Sequence, residues 1–231
     1  MILILAFDIM REDINGGDTL NKLTSKKDIN FLTFLFALTY MVSYITRINY
    51  GAIIVEMETA TGISKSMLSM ALTGSFITYG TGQVISGIIG DRISPKRLVS
   101  IGFCVTVLMN VAIPFSESPY LMLAIWCING FAQSLMWPPL VRLMTTLLSA
   151  EDYKNAATKV SWGSSFGTIA VYLLSPVLIS ISGWKSVFFF SALLGFVMII
   201  IWNKFSYEIG IKKREKQEVE VDNSKKYRLL T

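Results

Sequence analysis

The sequence predicts an all-α polytopic membrane protein with six transmembrane helices, and two observations support that prediction. Hydrophobic residues make up 52% of the 231 residues and charged residues only 16%, whereas soluble proteins average about 25% charged residues. The apolar residues are gathered into long blocks, most of them close to the roughly 20 residues that a helix needs to cross a bilayer. The blocks are residues 30–55, 66–90, 98–115, 120–147, 159–181 and 185–205.

The distribution of positive charge predicts the orientation. Apart from Arg47, Lys65 and Lys185, every lysine and arginine falls on the side of the membrane that holds the N-terminus. Short connections rich in lysine and arginine stay in the cytoplasm. We therefore expect both termini in the cytoplasm and the protein in the cell inner (plasma) membrane. Residues 1–28 form a cytoplasmic leader, 29–205 the six-helix domain and 206–231 a charged cytoplasmic tail.

Several local signals refine the helices. Pro138 and Pro139 should kink the fourth span, because proline cannot continue the helical hydrogen bonding. Ser64 predicts a serine-capped helix start, and Ser182–Gly183 a minimal turn. The charged residues between Ser149 and Thr158 predict a loop.

The composition excludes several classes of function. The chain has no histidine, which removes histidine metal sites, Ser-His-Asp catalysis and histidine proton relays. The sequence has no carboxylate pair at membrane depth, no phosphate-cradling loop with an adjoining lysine and no metal-ligand cluster, so we predict no enzyme, cofactor or metal. The basic residues lie between and after the apolar blocks and do not indicate nucleic acid. Cys104 and Cys127 lie inside spans and are predicted to pack rather than form a disulfide.

Arg47 is a charged residue in the middle of an apolar span, and crossing the membrane does not require it. A charged side chain at bilayer depth costs at least about 2.5–3.5 kcal/mol and usually serves a substrate, an ion or a partner charge. Tyr40, Tyr44 and Arg47 are spaced i, i+4 and i+7, so they share one helix face. A guanidinium flanked by phenols suits an oxyanion. The alternative, a carboxylate on another span, is disfavoured because no acidic residue lies deep in any span.

Two other spans carry polar side chains on one face. Tyr79 and Gln83 share a face of the second span, and Asn129, Gln133 and Trp137 share a face of the fourth. The tyrosine and tryptophan are candidates for the wall of the same cavity. Gln83, Asn129 and Gln133 either line that cavity or hydrogen-bond to neighbouring helices.

Small residues recur every four positions in two spans. Gly82, Ser86 and Gly90 lie in the second span, and Gly163 and Gly167 in the fifth. Such spacing lets another helix approach closely. We predict that these residues serve packing.

The turn after the second span, Gly87-Ile-Ile-Gly-Asp-Arg-Ile-Ser-Pro-Lys-Arg97, is the most specific string in the chain. An aspartate followed by compact basic residues can form charge pairs that lock one state of a transporter; the alternative is that the cations only set orientation. The string resembles the signature of the major facilitator superfamily, except at Ser94 and Pro95. We assign to this conformational switch motif Gly87, Asp91, Arg92, Lys96, Arg97 and, from the fourth span, Arg142.

A narrower resemblance, to the organophosphate:phosphate antiporter branch, covers residues 30–205. It rests on the strings around Tyr40 and Arg47, on Tyr79-Gly80, on the turn above and on Trp137-Pro-Pro-Leu-Val-Arg142. The resemblance implies that Arg47 is the phosphate-binding arginine of the N-terminal half, with Tyr40, Tyr44 and Tyr79 beside it. The chain departs from some branch members at Ile48, Gln83 and Phe166, where those members carry a basic residue, a lysine and a histidine, respectively. Fewer positive charges leave room for a monoanionic carboxylate.

The resemblance implies the N-terminal six-helix half of a twelve-helix fold, with solute held between two halves. We therefore expect a truncated or split chain that pairs with a C-terminal half or with itself, and truncation is the favoured expectation. The predicted function is a transporter module for a small organic anion, such as a sugar phosphate, glycerol phosphate or carboxylate, working by alternating access. A membrane sensor for a similar ligand and an exporter of drugs or cations are the alternatives. The predicted partners are that anion and the lipid bilayer.

Overall fold

The computed structural model describes residues 22–90 and 92–205, and these residues form helices and short connections without any strand. This confirms the all-α class. The predicted tail, most of the predicted leader and Asp91 lie outside the described residues. The helices are α1 Lys26–Ala52, α2 Ile54–Thr61, α3 Lys65–Gly90, α4 Pro95–Ala112, α5 Pro119–Ser134, α6 Trp137–Leu147, α7 Ala150–Ser182 and α8 Lys185–Phe205.

Five stretches of helix are long and apolar enough to cross a bilayer. They are α1, α4 with the 3₁₀ turn Ile113–Phe115, α5 together with α6, α7, and α8. The predicted second span corresponds to α3, which has 26 residues but a lower hydropathy because glycine, serine and threonine interrupt its apolar residues. The crossing of the membrane by α3 stays a prediction.

The predicted kink in the fourth span is confirmed. Helix α5 ends at Ser134, and α6 begins at Trp137 with proline in its first turn. Proline is tolerated there because the first N–H groups of a helix have no partner within the helix. The serine cap is also confirmed, since the Ser64 hydroxyl accepts a hydrogen bond from the Met67 N–H at 3.4 Å.

The prediction of a loop between Ser149 and Thr158 is wrong. Helix α7 begins at Ala150, and the Ser149 hydroxyl accepts a hydrogen bond from the Asp152 N–H at 3.1 Å. Glu151 and Asp152 lie in the first turn, where the helix dipole favours negative charge. The charges mark where the chain leaves the apolar environment, and the helix continues beyond that level.

Helices α1 and α7 approach so closely that glycine is required between them. A Cβ atom on Gly163 would clash with the Ala37 carbonyl, and one on Gly167 with the Met41 carbonyl. The packing role predicted for both glycines is therefore confirmed.

Helices α3 and α5 form a second close pair. A Cβ atom on Gly82 would meet the Ser134 side chain, and one on Gly130 would meet the Ser75 carbonyl. The Thr78 hydroxyl donates to the Cys127 carbonyl of α5 at 2.8 Å. Helix α5 therefore fixes the position of α3 next to Tyr79.

Two apolar clusters hold the bundle, and a polar layer separates them. The first cluster gathers side chains from α1, α4, α6, α7 and α8, and the second surrounds Tyr50, Trp126 and Phe188. Along α1 the buried polar residues Ser43, Thr46 and Asn49 fall between the residues of the two clusters. The candidate site lies at this level.

We predict that Gly163→Leu lowers the stability of the bundle. The added side chain would collide with the backbone of α1, and overpacking of this kind costs about 1–3 kcal/mol. The thermal unfolding midpoint of the purified protein in detergent, followed by tryptophan fluorescence, measures the change.

Gly80→Leu is the matched control, because a Cβ atom at Gly80 has no neighbour within 4 Å. Its midpoint should stay near that of the unmodified protein. Equal midpoints for the two variants would contradict the close approach of α1 and α7.

Candidate functional site

The guanidinium of Arg47 lies between two tyrosine rings from different helices. Its Cζ atom is 4.3 Å from the centroid of the Tyr44 ring in α1 and 4.4 Å from that of Tyr79 in α3. Rings at this distance attract a cation through their quadrupoles, by about 0.5–1 kcal/mol at exposed sites and about 2 when desolvated. The two rings therefore offset part of the cost of holding the charge inside the bundle.

The aromatic contacts continue beyond Tyr44. The rings of Tyr40 and Tyr44 meet edge to face with centroids 5.0 Å apart, and the Tyr40 and Trp137 rings are 4.8 Å apart. Trp137 begins α6, so three helices contribute to one continuous group. We call these five side chains the aromatic–arginine cluster: Trp137, Tyr40, Tyr44, Arg47 and Tyr79. All five were candidates from the sequence.

Arg47 has an unmet hydrogen-bonding requirement. Its Nε atom is buried and has no hydrogen-bond partner among the described residues, and leaving a buried donor without a partner costs about 1–3 kcal/mol or more. The acidic residues of the described part lie at helix ends, in the short helix α2 or in connections. The structure therefore provides no carboxylate for Arg47 within residues 22–90 and 92–205.

An adjacent side of α1 carries a buried hydrogen-bond network. Ser43 Oγ donates to Gln133 Oε1 at 2.7 Å, and Gln133 Nε2 donates to Thr46 Oγ1 at 2.9 Å. Gln133 is 1% exposed and Thr46 is fully buried. These bonds join α5 to the residue that precedes Arg47.

Two asparagines bond to the same position of α1. Asn110 Nδ2 of α4 donates to the Thr46 carbonyl at 3.0 Å, and Asn129 Nδ2 of α5 donates to it at 3.4 Å. Asn49 Nδ2 in turn donates to Asn110 Oδ1 at 2.7 Å. The sequence analysis missed Asn110, although an asparagine inside an otherwise apolar span was a usable signal.

Gln83, Asn129 and Gln133, the amide side chains proposed for the cavity wall, have different environments in the structure. Asn129 and Gln133 make the interhelical hydrogen bonds that one alternative predicted, and in this conformation both are too deeply buried for a solute to contact them. Gln83 lies one turn beyond Tyr79, is half-buried, and makes no hydrogen bond with a described residue. A direct role for these three in solute binding stays a prediction.

The residues of the switch motif gather at one end of the bundle. Arg142 lies beside Gly90, with its Nη1 atom 3.9 Å from where a Cβ atom of that glycine would be. The Lys96 carbonyl accepts a hydrogen bond from Trp202 Nε1 at 3.0 Å, which joins α4 to α8. Helix α6 thus meets the end of α3 where the motif begins.

The charge lock itself stays a prediction. Asp91, its anionic member, lies outside the described residues. Arg92 is exposed, Gly87 has no close neighbour, and Arg97 has a buried Nη2 atom without a hydrogen-bond partner in the described part of the chain.

Membrane-length helices around a half-buried arginine, with its Nε atom buried, and a polar layer define a multi-pass membrane protein. The family model of the Major Facilitator Superfamily matches residues 36–227, which is most of the chain. The chain therefore belongs to the major facilitator superfamily. Within it, the relatives support the organophosphate:phosphate antiporter-like branch.

Three relatives show the similarity. The chain is 26% identical to the probable hexose phosphate transport protein of Chlamydia trachomatis, over 80% of this chain and 41% of the relative. It is 30% identical to the glycerol-3-phosphate transporter of Bacillus subtilis, over 69% and 37%. It is 26% identical to the membrane sensor protein UhpC of Salmonella typhimurium, over 71% and 38%. The chain thus spans about two fifths of the length of these relatives.

We predict that Tyr79→Leu makes Arg47 more reactive toward phenylglyoxal. Loss of one ring removes about 0.5–1 kcal/mol of cation–π attraction and uncovers one face of the guanidinium, so the rate should rise about 2- to 5-fold. Peptide mass spectrometry resolves modification at Arg47 from that at the other arginines.

Tyr172→Leu is the control, since Tyr172 lies exposed on α7. Its Arg47 reactivity should match the unmodified protein. An unchanged rate in Tyr79→Leu would argue against the sandwich geometry.

Proposed function

We propose that the chain is a module of a membrane transporter for a small organic anion and that Arg47 binds the anionic group. The observation that carries the proposal is the Arg47 guanidinium, held between two rings inside the bundle, with a buried Nε that has no partner in the described residues. A cation kept at this depth without a carboxylate is suited to a passing anion. A guanidinium binds carboxylate or phosphate oxygens in a bidentate manner.

The substrate class follows from the charge and from the relatives. Named relatives are a probable hexose phosphate transport protein and a glycerol-3-phosphate transporter, which supports a sugar phosphate or glycerol phosphate. Ile48, Gln83 and Phe166 add no charge near Arg47, which keeps carboxylates among the candidates. Tyr40, Tyr44, Tyr79 and Trp137 would form the wall against the body of the solute, with Gln83 at its edge.

We infer alternating access together with a second six-helix unit, either a C-terminal half or another copy of this chain. The relatives are more than twice as long as the matched region, which supports a second unit. In this arrangement the solute lies between the two units, and the motif from Gly87 to Arg97 would switch its charge pairs as they move. Both termini would lie in the cytoplasm and the helices in the inner membrane.

A ligand sensor is the second candidate. The similarity to a membrane sensor protein supports it, because the same anion site would then serve recognition without net transport. The aromatic–arginine cluster is compatible with either role, so flux distinguishes them.

We predict that Arg47→Lys weakens anion binding about tenfold or more. Lysine keeps the charge but loses the planar fork, and one hydrogen bond to a charged group contributes about 1.5–3 kcal/mol. Calorimetric titration of the purified chain with inorganic phosphate, glycerol 3-phosphate and glucose 6-phosphate measures the affinity.

Lys65→Gln is the matched control, because it removes a positive charge at an exposed helix start. Its affinities should equal those of the unmodified chain. Unchanged affinity in Arg47→Lys would refute the role of Arg47. Uptake of the bound anion into proteoliposomes supports a transporter, and binding without uptake supports the sensor.

A further inference from the structure

We infer that Gln133 and Asn110 are positioning residues for Arg47: they fix the turn of α1 that carries the guanidinium. The inference rests on the proposed anion-binding role of Arg47 and extends it to two residues that do not contact the solute. It changes the role expected for Gln133 from contact with the solute to support of the cationic side chain.

The geometry places the network beside Arg47 on α1. Ser43, Thr46 and Asn49 are three residues apart and so follow one side of α1, toward α4 and α5. Arg47 follows Thr46 in the chain and contacts Tyr79 of α3. The same turn of α1 is therefore bonded to α4 and α5 on one side and presents its cation to α3 on an adjacent side.

Each amide donates two hydrogen bonds and accepts one. Gln133 accepts from Ser43 and donates to the hydroxyls of Thr46 and Thr106, the last at 3.4 Å. Asn110 accepts from Asn49 and donates to the carbonyls of Thr46 and Thr106, each at 3.0 Å. Asn129 also donates to the Thr46 carbonyl, but its buried Oδ1 has no hydrogen-bond partner in the described residues. The bonds of Gln133 and Asn110 are therefore the ones that favour one arrangement of the helices.

The apolar clusters cannot supply this constraint. Hydrophobic contacts are non-directional, so the side chains above and below the site hold α1 in the bundle without bonding to particular polar groups of this turn. A shift of α1 would move the guanidinium away from the Tyr79 ring, which belongs to another helix. The two amides bond to the hydroxyls of Ser43 and Thr46, the Thr46 carbonyl and the Asn49 amide. Bonds at these four groups of α1 set both its rotation and its height.

Other buried hydroxyls of α1 behave differently. Thr33 and Thr39 donate only to carbonyls of their own helix, Ile29 and Leu35, at 2.8 and 2.7 Å. The network from α4 and α5 is concentrated at the level of Arg47. This contrast gives matched controls on the same helix.

Four variants test the inference. Gln133→Met keeps the length of the side chain without its amide, and Thr46→Val keeps the shape without the hydroxyl. Thr46→Ser restores that hydroxyl, and Thr39→Val removes a buried hydroxyl that bonds only within α1. The full chain is purified in detergent with 15N-labelled arginine, and Arg47→Lys assigns the Arg47 Nε–H resonance.

The first readout is the position of that resonance, because the Tyr44 and Tyr79 rings shift it. We expect Gln133→Met and Thr46→Val to move it, and Thr46→Ser and Thr39→Val to leave it in place. The second readout is the affinity for inorganic phosphate, which should fall about five- to tenfold in the first two variants only.

The outcomes separate this inference from the proposed function. A resonance that stays fixed in Gln133→Met and Thr46→Val, even with lowered unfolding temperatures, would overturn the positioning role and leave a purely structural one. If the unmodified chain binds no phosphate, glycerol 3-phosphate or glucose 6-phosphate, the proposed function fails, while the resonance still decides the positioning role. Should Gln133→Met fail to fold, the comparison of Thr46→Val with Thr46→Ser decides.

Discussion

The structure depends on how one guanidinium is held inside an apolar bundle. Arg47 lies between the rings of Tyr44 and Tyr79, and the attraction of a cation to two aromatic faces offsets only part of the desolvation cost. The buried Nε remains without a partner in the described residues. In the proposed function this unmet donor is what an anion would satisfy, since a ligand that accepts its hydrogen bond would stabilise the bound state.

Helix α5 supports both sides of that site. It bonds to α1 through Gln133 and to α3 through the contact between Thr78 and the Cys127 carbonyl. Arg47 follows Thr46 and Tyr79 follows Thr78, so each member of the cation–π pair is next to a residue bonded to α5. The relative position of ring and cation therefore depends on a third helix that contributes neither.

Apolar and polar contacts have different roles in holding the helices around Arg47. The two apolar clusters give a non-directional attraction that holds the helices together, and the glycines of α7 and α3 set how close the helices come. The polar layer at Ser43, Thr46 and Asn49 selects one rotation of α1 among those that the apolar contacts tolerate. The first two features make a bundle, and the third makes a defined site within it.

The amino-acid sequence by itself determined the spacing of Tyr40, Tyr44 and Arg47 on one face, the break before Pro138 and the superfamily, because helical periodicity, proline chemistry and local motifs are properties of contiguous residues. It misplaced the start of α7, because charges between Ser149 and Thr158 indicate depth in the membrane rather than the end of a helix. Only the tertiary structure decided that the Tyr79 ring contacts Arg47 and that Gln133 is buried against α1. Periodicity shows which residues share a face of one helix, whereas the helix that this face meets depends on the packing of the whole bundle.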